Sequence, residues 1–405
     1  MSSSRAVADL HSGQGTSPKS PKPALARCLN IADLRALAER KLPGAVFDYL
    51  QGGAEDETTL TRNSADFAQY ELLPRYLVDV AQVSLATQVL NTDIAMPIIL
   101  APTGLSRLFH HQGEAAVARA AQRADTLYTL SSMATQSIEE VAAETTGPKW
   151  FQIYVWRDRE LLRDFIRRCK QNGYTGLCLT VDLPTAGQRE RDLRNGFTVP
   201  PQIRPANVLN TLCHPAWLWH FLAGPPISLA NVKQYVEADK NLFSVIDYTS
   251  SQFDPTVSWD DVAWMVEQWQ GDFAIKGILS ADDACRAAEV GVNAIIISNH
   301  GGRQLDHAVT PIGVLPEIVA AVGERLEVIL DGGVRRGTDV IKALCLGARA
   351  VMIGRPYLYG LAAGGEAGVN RALDILAAEI RRSLTLLGCR SVRELDQRYI
   401  RERKH

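Results

Sequence analysis

Residues 273–302, FAIKGILSADDACRAAEVGVNAIIISNHGG, contain the repeating unit on which the fold depends. Two short apolar runs, FAIKG (273–277) and AIIIS (294–298), are bounded by glycine or polar residues, as buried parallel strands usually are. Between them, SADDACRAAEVG places a serine before an acidic first turn and a glycine at its end, which is typical of a helix. The stretch therefore predicts a strand, a helix and a second strand.

Six further apolar runs extend this rhythm from about residue 96 to residue 354. They are PIILA (97–101), LYTLS (127–131), WFQIY (150–154), GLCLTV (176–181), VILD (328–331) and VMIG (351–354). Helix-like stretches such as GEAAVARAAQRA and RRGTDVIKALCLGA lie between strands. Eight strand–helix units predict an α/β fold and fit a (β/α)₈ TIM barrel better than an open doubly wound sheet. That choice depends on the count of eight.

The remaining segments suggest how the chain is divided. Residues 1–27 are rich in Ser, Pro, Gly and basic residues, and we expect a disordered tail there. We expect residues 28–405 to form one domain, with an N-terminal helical cap over 28–95, the barrel over 96–365 and a C-terminal helical region over 366–405. About ninety residues separate strands four and five, which predicts a long insertion over 193–256 after strand 4.

Composition narrows the class of protein. Of the 405 residues, 46% are hydrophobic and 22% are charged, which indicates a globular chain, and the net charge of −2 gives no reason to expect a nucleic acid partner. Seven scattered cysteines without CxxC spacing indicate reduced thiols in a cytoplasmic compartment, with neither a disulfide framework nor a zinc site. No window approaches eighteen consecutive apolar residues, so we predict no transmembrane helix.

Polar and ionisable side chains gather where the predicted strands end, which is where barrel enzymes place the active site. Burying so many polar groups without a ligand would be costly. The groups are Pro102, Thr103 and Gly104 after strand one, Ser131 after two, Gln152 and Tyr154 on three, Thr180, Asp182 and Arg189 at four, Lys276 on five, Ser298, His300 and Arg303 at six, Asp331, Gly333 and Arg335 at seven, and Gly354 and Arg355 at eight.

Three groups of these residues favour specific chemistry. His300, flanked by glycines and orientable by Asp182, suits a general base, although a lone histidine is more often a core or loop residue. Arg189 and Arg303 could clamp a carboxylate, or could be ordinary surface arginines. Lys276 lies mid-strand and should face a negative group, unless it points outward between helices.

The last two units suggest a phosphate site. DGGVRRG (331–337) and IGRP (353–356) combine glycines, which allow close backbone approach, with arginines that bind anions. The alternative is a pair of ordinary turns with solvated arginines. Tyr154 and Tyr49 could each be packing aromatics, and the position of Tyr49 in the cap assigns it no role.

Nine motifs occur in a characteristic order: FDYLQGGAED, LAPTGL, LSSMAT, WFQIYV, LTVD, IKGI, SNHGGRQLD, DGGVRRGTDVIKAL and IGRP. With this set the chain resembles the FMN-dependent α-hydroxy acid oxidase and dehydrogenase family over about residues 29–400. Within that family, GQRERDLRN and RPYLYGLAA look most similar to the mandelate dehydrogenase branch. The insertion with its HPxW is similar to that branch and to the respiratory L-lactate dehydrogenases.

The resemblance implies an FMN cofactor and oxidation of an (S)-2-hydroxy acid, mandelate-like or lactate-like, to the 2-oxo acid. It implies that His300 is the base, paired with Asp182, and that Lys276 lies near flavin N1 and O2. The substrate-binding residues would be Tyr49, Tyr154, Arg189, His300 and Arg303, and Tyr154 would also be catalytic. The other cofactor contacts would be Pro102, Thr103, Gly104, Ser131, Gln152, Thr180 and Ser298 around the ring, and Asp331, Gly333, Arg335, Gly354 and Arg355 at the ribityl chain and phosphate.

Two features bear on the electron acceptor and the location. Gly104 stands where oxidases of the family typically have Ala, which favours a quinone or other carrier as acceptor, although drift at a small residue would look the same. Residues 193–236 contain no Asp or Glu and include HPAWLWHFLAG, as an interfacial membrane segment requires. A loop packed on its own barrel or on a neighbouring subunit is the alternative. We expect a cytoplasmic homo-tetramer bound peripherally to the inner face of the cell membrane.

Three other readings stay open at this point. One is an oxygen-using 2-hydroxy acid oxidase that produces hydrogen peroxide. Another is a barrel of different chemistry, such as a phosphate-binding isomerase or an aldolase using Lys276 as a Schiff base. The third is a catalytically silent binding scaffold. The substrate side chain is unknown, and we expect residues near Met133, Gly104 and the insertion to select it.

Overall fold

The structure, a computed structural model, describes residues 23–196, 204–235 and 254–403. Eight parallel strands form a closed barrel in which strand 8 pairs with strand 1, with Val351 opposite Ile98. In chain order they are strand 1 Ile98–Leu100, strand 2 Tyr128–Ser131, strand 3 Lys149–Tyr154, strand 4 Gly176–Thr180, strand 5 Asp272–Ile278, strand 6 Ala294–Ile297, strand 7 Glu327–Asp331 and strand 8 Ala350–Ile353. All eight predicted strands are confirmed, and with them the TIM barrel.

The barrel interior is filled by apolar side chains, which explains why the strands have nearly continuous apolar sequences. Strand residues that face inward form a buried cluster, while their neighbours pack against the outer helices. A hairpin made of strands Thr87–Val89 and Thr92–Ile94 adds Val89 and Ile94 to the inner cluster. The hairpin therefore closes the N-terminal end of the barrel, and the C-terminal end is left for a ligand.

Helices surround the barrel, between successive strands and after strand 8. They are Gly113–Arg123, Ile138–Glu144, Arg159–Gln171, Trp259–Trp269, Ala281–Glu289, Pro311–Val322, Gly337–Cys345, Arg355–Gly364 and Glu366–Leu387. The helix predicted from SADDACRAAEVG begins as expected, because the Ser280 hydroxyl accepts a hydrogen bond from the Asp283 amide at 3.2 Å. Gly291 follows that helix with φ +85°, a backbone conformation that favours glycine.

The cap predicted over 28–95 is helical only in its first part. It contains helices Ile31–Lys41, Gly44–Gln51 and Thr58–Ala65 and a 3₁₀ turn, Asp66–Gln69, followed by strand Tyr70–Leu72 and the hairpin strands Thr87–Val89 and Thr92–Ile94. Asp306, from the loop after strand 6, accepts hydrogen bonds from the amides of Thr58 and Thr59 at 3.2 and 2.7 Å. A side chain of the barrel thus caps a cap helix, which fixes the cap over the C-terminal face.

Two boundary predictions need correction. We expected a disordered tail over residues 1–27, and this prediction is wrong for residues 23–26. They form a short helix because Leu25, which is 1% exposed, packs against Gly364. Residues 1–22 lie outside the described residues. The C-terminal region is not wholly helical. After the helix Glu366–Leu387 and two 3₁₀ turns, Val392–Glu394 and Gln397–Tyr399, strand Ile400–Glu402 pairs antiparallel with Tyr70–Leu72, because an edge strand of the cap offers it a partner.

The insertion after strand 4 begins with helix Glu190–Arg194 and continues with helices Pro205–Leu212 and Pro215–Ala223 and a 3₁₀ turn, Lys233–Tyr235. Its later part is fastened to the barrel, because the Ala230 amide donates to the Ala134 carbonyl at 3.1 Å and Asn231 is fully buried. Residues 197–203 and 236–253 of the predicted insertion lie outside the described residues. None of the helices in the described ranges is long and apolar enough to cross a membrane.

Candidate active site

A cavity of about 310 Å³ opens at the C-terminal ends of the strands, beneath the cap. Most of the predicted site residues line it: Tyr49, Pro102, Thr103, Gly104, Ser131, Tyr154, Arg189, Lys276, His300, Arg303, Asp331, Gly333, Arg335, Gly354 and Arg355. Gln152, Thr180, Asp182 and Ser298 are not among its lining residues. The structure therefore brings together side chains contributed by the cap and by strands one to eight.

His300 lies in a left-handed turn directly after strand 6. Its φ is +58°, and Gly301 and Gly302 follow with +66° and +74°. Such a backbone is unfavourable for a histidine, so the surrounding structure must hold it. The imidazole Nδ1 lies 2.8 Å from Asp182 Oδ1 at the end of strand 4. A carboxylate at Nδ1 orients the ring and leaves Nε2 to face the cavity.

Asp182 stays ionised in this pair. Burial by itself would raise its pKa, but the nearby charges of His300 and Lys276 and the hydrogen bond from His300 outweigh burial and lower the pKa. The anion can therefore stabilise a positive imidazolium when His300 takes up a proton. This geometry fits the general-base role expected for His300 and does not fit a buried structural histidine.

The cap holds the turn in place through a buried amide pair. Asn299 and Asn63, from helix Thr58–Ala65, exchange two hydrogen bonds of 2.7 Å each. Asn299 Oδ1 also accepts from the Gly302 amide at 3.1 Å, and the Ser298 hydroxyl accepts from the His300 amide at 3.0 Å. These contacts stabilise the left-handed turn and thus the position of the imidazole.

Lys276 points into the barrel from strand 5, so the alternative of an outward-facing lysine is wrong. Its Nζ lies 3.1 Å from Asp331 Oδ2 and donates to the Ser298 hydroxyl at 2.9 Å, and Ser298 in turn donates to Asp331 at 2.7 Å. Burial alone would lower the pKa of Lys276, but the carboxylates of Asp331 and Asp182 raise it. Lys276 is therefore a cation at the floor of the cavity.

Arg189 and Arg303 both contact the Tyr49 ring, with guanidinium carbons 5.7 and 5.1 Å from its centroid. Arg303 donates to the carbonyls of Tyr49 and Gly52 at 2.8 and 3.0 Å. Burial, followed by the neighbouring charge of Arg189, lowers the pKa of Arg303 to about 10. Two close guanidinium groups repel each other, and an anion between them would relieve that repulsion, as a substrate carboxylate would.

Tyr154 ends strand 3 and is 9% exposed. Burial, with a smaller contribution from Asp182, raises the pKa of its phenol, so Tyr154 is neutral and can donate a hydrogen bond. Tyr49 stacks on Phe109 with ring centroids 6.2 Å apart, and both rings line the cavity. Neither tyrosine is simply buried in the core.

The strand ends also contain polar atoms that need a ligand. Gln152 Nε2 and Thr180 Oγ1 are buried and have no hydrogen-bond partner among the described residues. Buried donors of this kind are normally satisfied, and a flavin ring carries carbonyl oxygens and an N–H that match them. A Cβ on Gly354 would meet only Thr103, at 3.7 Å, so the backbone there is open to close approach. With the cation of Lys276 nearby, these residues fit FMN.

Arg355, predicted to contact the phosphate, makes hydrogen bonds to backbone carbonyls of the protein. Its guanidinium donates to the carbonyls of Leu50, Gly301 and Gly52 at 3.2, 2.8 and 2.9 Å. These bonds fasten the C-terminal end of cap helix Gly44–Gln51 to the barrel and use three of the five N–H donors of an arginine. Its predicted phosphate contact would depend on the remaining two.

Sequence reasoning missed several residues at the site. The cavity wall also includes Leu105, Phe109, Leu183, Ala186 and Gln304. Gln304 Nε2 donates to the carbonyls of Asp182 and Thr185 at 3.0 Å each, so it ties the strand 4 loop to the strand 6 loop. The only feature of the sequence that could have indicated Gln304 is its position directly after Arg303 in SNHGGRQLD. Met133, expected near the substrate side chain, does line the cavity.

The C-terminal end of the closed barrel holds an oriented histidine, paired arginines and a buried lysine, together with buried polar atoms that fit a flavin. These features define a flavin-dependent oxidoreductase. The chain belongs to the FMN-dependent dehydrogenase family, which it matches over residues 38–402. It is thus an FMN-dependent enzyme.

Relatives of known name support this placement. A putative L-lactate dehydrogenase of Mycobacterium tuberculosis (strain ATCC 25618 / H37Rv) is 42% identical over 93% of this chain and 90% of its own length. An L-lactate oxidase of Nostoc sp. (strain PCC 7120 / SAG 25.82 / UTEX 2576) is also 42% identical, over 93% of this chain and 99% of its own. A solved structure of the monotopic membrane protein (S)-mandelate dehydrogenase has a TM-score of 0.90 at 40% identity, covering 93% of this chain and 100% of that one.

Proposed function

We propose that the protein oxidises an (S)-2-hydroxy acid to the 2-oxo acid and passes the electrons to a quinone or another carrier. The observation that carries this proposal is that His300, paired with Asp182, lines the same cavity as Arg189 and Arg303. A 2-hydroxy acid presents a carboxylate and a hydroxyl on adjacent carbons, so it needs an anion clamp beside a base. Relatives named L-lactate and (S)-mandelate dehydrogenase are consistent with that substrate class.

In the proposed reaction each side chain has one task. Arg189 and Arg303 bind the carboxylate in charge-assisted hydrogen bonds, and Tyr154 donates to the substrate and orients it. His300 Nε2 accepts the proton that the substrate releases, and Asp182 stabilises the resulting imidazolium. Bound FMN supplies a two-electron acceptor. Lys276 stabilises negative charge at the floor of the cavity.

The test is a His300→Ala variant mixed with a 2-hydroxy acid in the absence of oxygen. We expect the flavin to bind normally and its bleaching to slow by about 100-fold or more, because general-base catalysis contributes at least that much. Lactate, mandelate, glycolate and long-chain 2-hydroxy acids should be compared with the wild type to find the substrate. Flavin reduction by His300→Ala at nearly the wild-type rate would contradict the proposal.

A second candidate is an oxygen-using oxidase of the same family, because a relative 42% identical is named L-lactate oxidase. Gly104 favours the dehydrogenase. The two are distinguished by measuring hydrogen peroxide against 2-oxo acid under air: one peroxide per turnover identifies the oxidase, and turnover that requires an added quinone identifies the dehydrogenase.

We further propose that the protein binds the inner face of the cell membrane through the insertion. Helices Pro205–Leu212 and Pro215–Ala223 expose large apolar side chains, including Leu209 at 66%, Trp219 at 69% and Leu222 at 70%. Exposed apolar residues on an acid-free segment favour an interfacial membrane contact. Co-flotation with vesicles that contain anionic lipid, lost in a Leu209→Ser/Trp219→Ser/Leu222→Ser variant, is expected.

A homo-tetramer is proposed by likeness to the family. An exposed apolar patch next to the end of helix Glu366–Leu387, with Tyr76 81%, Leu77 106% and Leu386 69% exposed, is a surface that an assembly would cover. Light scattering of the purified protein tests the mass, and a monomer would contradict the proposal.

A further inference from the structure

The two insertion helices each contact an element that carries one wall of the substrate cavity. This wall consists of Tyr49 and Phe109, whose stacked rings both line the cavity. Tyr49 belongs to cap helix Gly44–Gln51, and Phe109 ends the short helix Ser106–Phe109. We call these two rings the aromatic wall.

The first insertion helix reaches the aromatic wall through Asn210. Asn210 Oδ1, on helix Pro205–Leu212, accepts a hydrogen bond of 2.7 Å from the Gly44 amide. Gly44 is the first residue of the helix that carries Tyr49, and the preceding residue, Pro43, has no side-chain acceptor to cap it. Asn210 therefore caps the N-terminus of the Tyr49 helix from another part of the chain. Without Asn210, the Gly44 amide would have only water as its hydrogen-bond acceptor.

The second insertion helix reaches the wall through Trp217. The indole Nε1 of Trp217, on helix Pro215–Ala223, donates to the Leu108 carbonyl at 2.9 Å. Leu108 directly precedes Phe109, and the neighbouring Arg107 donates to the Pro226 carbonyl at 3.4 Å, just past the same insertion helix. The Trp217 ring also stacks on Phe221 with centroids 4.9 Å apart. The element that carries Phe109 is thus bound to the insertion on one side and packs on Tyr49 on the other.

We propose that Asn210 and Trp217 are positioning residues that hold the aromatic wall and so set the size of the substrate side chain that the cavity accepts. The inference rests on the proposed function, in that the cavity must receive a 2-hydroxy acid. The base His300 and its partner Asp182 lie on the strand 6 and strand 4 loops, and neither makes a hydrogen bond to Asn210 or Trp217. The two clamp arginines do contact the Tyr49 ring, so a shift of the wall acts on substrate binding before it acts on the base. Loss of Asn210 or Trp217 should therefore alter recognition of the substrate side chain and leave the chemical step intact.

The experiment compares Asn210→Ala and Trp217→Phe with the wild type on two substrates, lactate with a methyl group and mandelate with a phenyl ring. Each variant removes one hydrogen bond to the wall. We expect the ratio of the KM for mandelate to the KM for lactate to change by about two- to tenfold, the range that one lost hydrogen bond allows. The limiting rate of flavin reduction should stay within about twofold of the wild type.

Two matched variants control for indirect effects. Asn210→Asp keeps an acceptor for the Gly44 amide and should retain the wild-type KM ratio, while Trp219→Phe changes a ring that is 69% exposed and should do the same. Because both contacts support one wall, the double variant Asn210→Ala/Trp217→Phe should change the ratio by less than the product of the single effects.

The outcomes are separable. An unchanged KM ratio in both single variants, or equal changes for the two substrates, would overturn the positioning role even if the enzyme is active. Failure of the wild-type flavin to bleach with either acid would instead count against the proposed function. FMN content and thermal midpoint, measured on each variant, identify any protein that has simply unfolded.

Discussion

Replacing Asp182 with asparagine tests the reaction centre without touching the cavity wall. The change keeps the side-chain size and removes the negative charge that lies 2.8 Å from His300 Nδ1. A hydrogen bond to a charged group is worth about 1.5–3 kcal/mol, and each 1.36 kcal/mol of barrier is a factor of ten. If that energy is realised only when the imidazole is protonated, the limiting rate of flavin reduction should fall by about 10- to 150-fold.

Anaerobic stopped-flow bleaching at saturating substrate measures this rate directly. FMN should remain bound, since Asp182 is not among the residues lining the cavity. Asp192→Asn is the matched control: Asp192 accepts from Arg189 Nε at 2.7 Å, so its loss should raise KM for the carboxylate more than it lowers the limiting rate. A limiting rate for Asp182→Asn within about twofold of the wild type would refute the assignment of the pair.

Three further changes follow from the structure. Asp331→Asn leaves the buried lysine of strand 5 without its ion-pair partner, and should raise the flavin midpoint potential by about 30 mV, the equivalent of about 1.4 kcal/mol for two electrons, in a dye-coupled titration. Gly104→Ala places a Cβ 3.0 Å from Met133 Cβ, and should raise KM for bulky 2-hydroxy acids several-fold in steady-state assays. The hydrogen bonds from Arg168 lower the pKa of Glu139 to about 2, so this pair stabilises the fold above the ordinary glutamate pKa near 4.3 and stops doing so as pH falls through about 2. Glu139→Gln should therefore lower Tm slightly at pH 7, and the two Tm values should converge between about pH 4 and 2.

The barrel was predictable because its signals are local. Each strand is a short apolar run, buried on both faces, and each helix has its own start and stop residues; Ser280 and Gly291 lie where the sequence predicts them. The gathering of His300, Asp182 and Lys276 also follows from local information, since parallel strands in a barrel end at one face. Placing side chains at strand ends was therefore enough to predict most of the residues that line the cavity, but not that Gln152, Thr180, Asp182 and Ser298 do not line it.

The contacts that hold the site together were not predictable, because they join distant parts of the chain. Asn63 and Asn299 are 236 positions apart, and nothing in either local sequence indicates the pairing. The same is true of Asp306, expected to be structural, which caps a helix 247 positions away. Arg355 was predicted as a phosphate ligand from DGGVRRG and IGRP together, and nothing in those motifs indicated that three of its donors bind carbonyls in the cap and in the strand 6 loop.

The hairpin that closes the N-terminal end of the barrel has a consequence for the order of events in turnover. With Val89 and Ile94 packed into the inner cluster, the cavity is reached from the C-terminal side of the barrel, where the cap and the insertion lie. The hydroxy acid and the electron acceptor would then approach the cofactor from the same side. The 2-oxo acid should leave before the acceptor arrives. Double-reciprocal plots of initial rate against hydroxy acid concentration, measured at several acceptor concentrations, should therefore be parallel, and excess hydroxy acid should compete with the acceptor.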